Sequence, residues 1–313
     1  MPPLAPTLAF TSGDVIADRR REHARAYFAA GEAAAAAELM EQALEIVPDW
    51  AAGWFELAEF REAAGGRDGA IAAYERVLAL DPDDRCGAIL RLVRLGARAT
   101  PDAPPAAHVR DLFDGYAARF ERSLVDGLGY RMPEHLADML ARLVPGRRFA
   151  HGLDLGCGTG LMAVALKDRV GRLDGVDLSA GMVAEARAKG LYGALRVGEL
   201  VSDLAGLADA AFDLVLAADV FCYLGDLAPA LAGVARVTAP GGIVAFSVEA
   251  LTAEEAGDGG HRLRDSLRYG HDPAAVERVA RSVGLVPLSI EHTVGRRDRG
   301  IDVTAAAMVF TKA

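Results

Sequence analysis

Apolar residues at helical spacing dominate the first third of the chain, as with Ala24, Tyr27, Ala36, Met40 and Ala43. From residue 149 onward the pattern changes: short β-rich runs alternate with helical stretches. The runs "FAHGLDL", "RLDGVDL", "GALRVGEL", "FDLVLAADV" and "GGIVAFSVE" read as five strands, with helices starting near Thr159, Ala180, Leu227 and Asp272. Such alternation predicts an α/β fold, a parallel sheet covered on both faces. Two final runs, "LVPLSIEHTV" and "DVTAAAMVFTK", joined through "GRRDRG", predict an antiparallel hairpin at one edge.

The first third is also a repeat. Pro48 and Pro82 sit in the matching strings "ALEIVPDWAAGW" and "VLALDPDDRCGA", a period of 34 residues, which is that of the tetratricopeptide repeat. Aligned on the prolines, the second unit supplies Trp54, Leu57, Ala58, Ala70, Tyr74 and Val77. Small residues let paired helices approach closely, and the bulky ones fill the groove between units. Arg20 stands where the pattern prefers Trp, and Arg61 where it prefers Tyr. A third helix, about 84–98, begins a repeat without completing one and predicts a cap. The resulting division is a flexible start at 1–14, repeats at 15–99, a proline-bearing linker at 100–109 and an α/β domain at 110–313. Within that domain Leu112, Phe113, Tyr116, Phe120 and Leu124 make one apolar face of a helical stretch, 110–145. Its aromatics either pack or form a lid over a nucleotide.

The stretch "HGLDLGCGTG" runs a strand into three alternating glycines, so something lies close to that backbone. A dinucleotide fingerprint needs its third glycine at 161, which is Leu161, and a P-loop needs a lysine and a hydroxyl that "LMA" does not offer. Asp154 beside the loop would repel a pyrophosphate and attract a cation. The formal charge of −10 argues against a nucleic-acid partner. No stretch is long and apolar enough for a membrane span, and the N-terminus resembles neither a signal peptide nor an anchor. Cys86, Cys157 and Cys222 are odd in number and widely spaced, which fits a reducing compartment, the cytoplasm, and no structural disulfide. The seven histidines have no metal-ligand spacing, so no metal is expected.

Taken in order, "LDLGCGTGL", "GVDLSAGMVAEARAKG", "AFDLVLAADVFCYLGDL" and "ARVTAPGGIVAFS" resemble the class I S-adenosylmethionine-dependent methyltransferases, whose sheet has seven strands in a Rossmann-like arrangement. The combination with repeats resembles a bacterial group of tetratricopeptide-repeat methyltransferases. The resemblance implies S-adenosylmethionine as cofactor and S-adenosylhomocysteine as product. It would be bound through Asp154, Leu155, Gly156, Cys157, Gly158, Gly160 and Leu161, with Asp177 taking the ribose hydroxyls. Leu178, Ser179 and Met182 would flank the adenine, with Glu199 and Leu200 along its polar edge, where the family more often has Asp than Glu. Asp219 and Val220 would lie beside the methionine moiety, Tyr130 and Arg131 would also bind the cofactor, and Tyr116 and Phe120 would bind it if they form the lid.

Methyl transfer asks for an in-line approach, a dry site and sometimes a base. Glu249, Tyr223, Arg268, Tyr269 and His271 lie where strands end near such a cofactor, and Glu249, Tyr223 and His271 are the catalytic candidates. His271 could act as a general base or cap the helix after "HDP". Asn/Asp-Pro-Pro-Tyr is absent after the fourth strand, which reads "ADVFCY" and lowers amino-DNA and glutamine acceptors. Three functions stay open: a methyltransferase whose repeats recruit a protein substrate, a small-molecule O- or N-methyltransferase, and a non-catalytic cofactor-binding scaffold. The repeats would serve a protein partner or a homodimer, and the alanine-rich "AAGEAAAAAELM" favours close helix approach.

Overall fold

The computed structural model describes residues 11–117, 120–121, 129–298 and 300–313. Leu124, and the first ten residues of the expected flexible start, lie outside the described residues. The chain divides into two compact units, one through Leu112 and the other from Phe113.

In the first unit α1 (Val15–Ala29) pairs with α2 (Ala33–Ile46), and α3 (Ala51–Ala63) with α4 (Arg67–Leu80). The two repeats keep register residue for residue: Ala24 with Ala58, Ala36 with Ala70, Met40 with Tyr74 and Ala43 with Val77 are all 0% exposed. Gly31 and Gly65, also 34 apart, turn between the helices at φ 86° and 81°, a conformation that a β-carbon disfavours. Glu56 on α3 is buried and takes both Arg21 and Arg25 of α1 at 2.5 Å, which ties the first helix of one repeat to the first of the next. A last helix, α5 (Ala88–Arg94), is shorter than the 84–98 expected. Asp84 explains the late start: it sits at φ 47° and its carboxylate accepts the N–H groups of Ala88 and Ile89 at 2.6 and 2.9 Å.

The stretch 110–145 does not form one helix. α6 (Ala106–Asp114) ends early, and α7 (Met132–Leu143) starts afresh with Pro133 in its first turn, where a proline costs nothing. Then come β1 (Phe149–Leu155), α8 (Leu161–Leu166), β2 (Val170–Asp177), α9 (Ala180–Ala188), β3 (Ala194–Val197), α10 (Leu200–Gly206), β4 (Phe212–Ala217), α11 (Ala228–Val237) and β5 (Thr238–Ala250). The chain continues through α12 (Ala253–Ala256), β6 (His261–Leu263), β7 (Tyr269–His271), α13 (Pro273–Ser282), β8 (Leu285–Asp298) and β9 (Ile301–Lys312).

The parallel strands lie in the order β3-β2-β1-β4-β5. β9 adds antiparallel to β5 and β8 closes the edge, as the final two runs predict. Side chains alternate between faces: Ala306, Met308 and Phe310 of β9 pack with α11 and α13, and Ala305, Ala307 and Val309 with α7 and α8. Both faces are therefore covered. β6 and β7 are additional; β7 runs parallel to the end of β5, with Glu249 opposite Gly270 and Ala250 opposite His271.

Candidate functional site

Chain reversal after β1 is built by Gly156, Gly158 and Gly160, at φ 60°, 51° and 94°. Their surroundings differ. A β-carbon on Gly156 would lie 2.5 Å from Val220 Cγ2, and one on Gly160 would lie 3.1 Å from the Tyr192 ring. One on Gly158 would meet nothing within 4 Å. Two of the glycines admit neighbouring side chains, and the third faces open space. Cys157 between them is buried, its N–H donates to Val176 O at 2.9 Å, and burial pushes its thiol up, so it serves the turn and not as a nucleophile. Leu155 closes β1 in the core and Leu161 opens α8.

Asp177 is the last residue of β2. Its Oδ2 accepts the Gly158 N–H at 2.8 Å and its Oδ1 the Ser179 N–H at 2.9 Å, so one carboxylate fixes both the glycine loop and the turn into α9. Burial pushes this carboxyl up, against the pull of those two bonds. Asp154 is 1% exposed and accepts the Tyr192 hydroxyl at 2.6 Å; burial, with the charge of Asp177 adding to it, pushes its carboxyl up to about 7. Among the described residues no cation pairs with Asp154. Tyr192, from the segment ahead of β3, is a site residue that the sequence did not single out. Asp114 is another: its Oδ1 accepts from Ser179 Oγ at 2.5 Å and from the Gly181 N–H at 2.9 Å, while Ser179 Oγ caps α9 by accepting the Met182 N–H. Leu178 is half-buried and Met182 buried at this turn. Glu199 spends both carboxylate oxygens on the N–H groups of Val201 and Ser202, capping α10 just ahead of Leu200, its first residue.

β4 stops at Ala217 and not at Val220, because Asp219 takes a left-handed φ of 58° and gives its N–H to Ser247 Oγ at 2.9 Å. That kink places Val220 against the glycine loop and starts a single 3-10 turn, Phe221–Tyr223. Tyr223 meets Phe113 edge to face at 5.4 Å, and Phe113 and Tyr116 each meet Phe120, at 6.2 and 5.6 Å. Tyr130 is buried near Asp219, Arg268 and Asp154, and burial holds its phenol protonated; Arg131 is exposed at the start of α7.

The densest charge lies beyond Asp219. Arg268 places Nη2 2.7 Å from both Asp219 Oδ1 and Cys222 Sγ and Nε 2.8 Å from Glu249 Oε1, with its guanidinium 4.9 Å from the centre of the Tyr223 ring. Glu249, 3% exposed, also takes Arg296 Nη1 at 2.5 Å and Arg264 Nη1 at 3.4 Å. Burial alone would raise its carboxyl; Arg268 and Arg296 overcome this and hold it below the usual range. Asp219, Cys222 and Glu249 bring ligand atoms within 4.8 Å of one another, but the cation among them is the Arg268 guanidinium. His271 is 2% exposed, its Nε2 lies 3.0 Å from Gly225 O, and burial pulls it down to about 4, so it is neutral at pH 7. It does not cap α13; Asp272 does, accepting the N–H groups of Ala274 and Ala275. Arg264 and Arg296 carried no signal in sequence, since neither belongs to a motif.

The carboxyl ends of β1, β2, β4 and β5 thus carry Asp154 and the glycine loop, Asp177, Asp219 and Glu249, the edge where open α/β sheets bind ligands. A methyltransferase domain family matches residues 153–246 and a tetratricopeptide repeat family residues 27–93. The malonyl-[acyl-carrier protein] O-methyltransferase of Salmonella typhimurium is 36% identical over 118 residues, 37% of this chain and 45% of that protein. Human methyltransferase-like protein 27 is 32% identical over 163 residues, 51% of this chain and 66% of that protein. The chain thus spans under half of the first relative's length and just under two thirds of the second's. Among solved structures, the [4+2]-cyclase SpnF covers 68% of this chain and 99% of its own at TM-score 0.54 and 20% identity. A Haloferax volcanii methyltransferase complex with the Trm112 activator covers 65% and 96% at TM-score 0.52 and 22% identity. At these identities the two structures show the fold alone. By these matches residues 153–246 form a methyltransferase domain and residues 27–93 carry tetratricopeptide repeats.

Proposed function

We propose that the second unit binds S-adenosylmethionine and transfers its methyl group to an acceptor. The observation that carries this reading is the joint arrangement of Gly158 and Asp177: a left-handed glycine with open space at its β-carbon position, its N–H held by the acid that ends β2. A β-carbon at Gly158 would fill that cradle, so the loop suits a ligand lying directly on the backbone. Each Asp177 oxygen accepts one backbone N–H and keeps a lone pair for a ribose hydroxyl. Asp154, buried without a described cation, suits the positive methionine end. On this reading Leu178 and Met182 would flank the adenine, Val220, Asp219 and Tyr130 would border the methionine, and Tyr116, Phe120 and Tyr223 would cover the reacting atoms. Arg131 would contact the ligand only from outside, and Glu199, committed to capping, only through a remaining lone pair. The cofactor supplies an electrophilic methyl on a sulfonium. The chain orients it and excludes water.

The repeats dock this unit on a protein partner or a second copy, since stacked repeats expose a concave surface. Calorimetric titration of the chain with S-adenosylmethionine, S-adenosylhomocysteine and a nicotinamide dinucleotide tests the cofactor assignment. Binding of the first two and not the third is expected; the reverse overturns it.

A further inference from the structure

We propose, resting on the cofactor reading above, that the methyl acceptor is a carboxylate, held by Arg264 at the tip of the β6–β7 hairpin and converted to a methyl ester. Among the described residues the charges around Glu249 do not balance. Three guanidinium groups, Arg264, Arg268 and Arg296, meet two carboxylates, Glu249 and Asp219. Arg268 and Arg296 are 14% and 8% exposed and press on Glu249 at 2.8 and 2.5 Å, so those charges are consumed internally. Arg264 is 29% exposed, and its one described side-chain bond is the 3.4 Å contact to Glu249 Oε2. The nearby exposed Glu255 spends its carboxylate on the Thr252 cap. A guanidinium carries five N–H donors in a planar fork that matches a carboxylate, so Arg264 has donors to offer an anion.

Position supports the same assignment. The hairpin turn closes through Arg264 N–H to Arg268 O at 2.9 Å, with Leu267 at a left-handed φ of 61°, and so sets both arginines on one turn. Arg268 reaches Asp219, and Val220, the next residue, touches the glycine loop. The anion site is continuous with the cofactor end of the sheet.

Among the described residues, the groups that could serve as a base near Glu249 are engaged or held protonated. An alcohol, phenol or ammonium acceptor must lose a proton. Glu249 is locked between arginines, and His271 spends Nε2 on Gly225 O while burial pulls the ring down to about 4, so its unpartnered Nδ1 is a weak base at pH 7. Cys222, Tyr130 and Tyr223 are buried or half-buried, and burial holds them protonated. A carboxylate needs no base: its oxygen lone pair forms the C–O bond to the methyl carbon as the C–S bond breaks. That bond's electron pair goes to sulfur, the anion and the sulfonium are both neutralised, and no proton is released.

The test uses the full chain with methyl-labelled S-adenosylmethionine. The panel is benzoate, succinate, suberate and a glutamate-bearing peptide, each beside its carboxamide, with p-cresol and octylamine as acceptors that need a base. Alkali releases volatile labelled methanol, identified by chromatography, from an ester, whereas an ether or a methylated amine keeps its label on the acceptor. Expected are volatile label from an acid and none from its amide, with the small acids and the peptide reporting which source the site accepts. Arg264→Gln should raise KM for that acid by about tenfold or more and change cofactor affinity less than about twofold, with Arg264→Lys recovering part of the loss. Base-stable product, no transfer to any acid while calorimetry shows the cofactor bound, or an unchanged KM in Arg264→Gln each overturns the carboxylate. Failure to bind the cofactor overturns the earlier reading and takes this one with it.

Discussion

Alanine at Gly156 and alanine at Gly158 should fail differently. At 156 the new β-carbon would lie 2.5 Å from Val220 in a left-handed backbone, so the variant should lose about 2 to 4 kcal/mol of stability by chemical denaturation. At 158 there is space, so stability should fall by only about 1 kcal/mol while cofactor affinity falls far more, because the methyl occupies the cradle. Asp177→Ala should cost about 2 to 4 kcal/mol of binding, roughly 30- to 1000-fold by calorimetry. Asp154 gives a pH signature. Its folded pKa of about 7 lies above the unfolded carboxylate value, so its stabilising contribution is complete below about pH 4 and is lost as pH rises through 7. Melting temperature should therefore fall from pH 5 to 8 by less in Asp154→Asn than in the parent chain, and cofactor binding near pH 6 should release protons. The alternating glycines and the acid beside them stand out in the sequence by spacing, and Asp177 through the resemblance; the structure brings the Gly158 N–H onto Asp177. Tyr192 and Asp114 were not, because each reaches the site from 38 and 65 residues away along the chain, by a side-chain bond that no local pattern encodes.

Among the elements, the five parallel strands and the closing hairpin were readable from apolar runs bounded by turns. β6 and β7 were not, since three residues each give too little alternation to separate from loop. The expected helix over 110–145 broke because α6 ends at Asp114, whose carboxylate turns to the start of α9, and Pro133 opens a new helix. Asp114→Ala should cost about 1 to 2 kcal/mol in denaturation, because Gly181 N–H and Ser179 Oγ both lose their acceptor. In the repeats Glu56→Gln should cost about 3 kcal/mol, since Arg21 and Arg25 would lose their charged partner at a buried site. Equal denaturation midpoints for parent and variant would show that the cluster does not tie α1 to α3.

For the whole molecule, period and strand alternation announced two units, and the family matches fall one in each. A chain starting at residue 105 keeps Asp114 and should bind S-adenosylmethionine as the full chain does; one starting at residue 130 loses that cap and the aromatics and should bind it more weakly. Light scattering on the full chain and the 105 start decides what the repeats do: a dimer that becomes a monomer on truncation shows self-association, and two monomers leave the repeats to another protein. The charge cluster at Glu249 has a historical consequence. Losing Glu249 alone takes from the buried Arg296 its described ionic partner and leaves Arg268 with Asp219 only, and losing Arg296 alone removes a main partner from a buried carboxylate, so neither step is neutral. Positions 249 and 296 can drift only together, and in an alignment of relatives the two should covary, apolar with apolar and acid with arginine, whereas position 264 should vary with the acceptor.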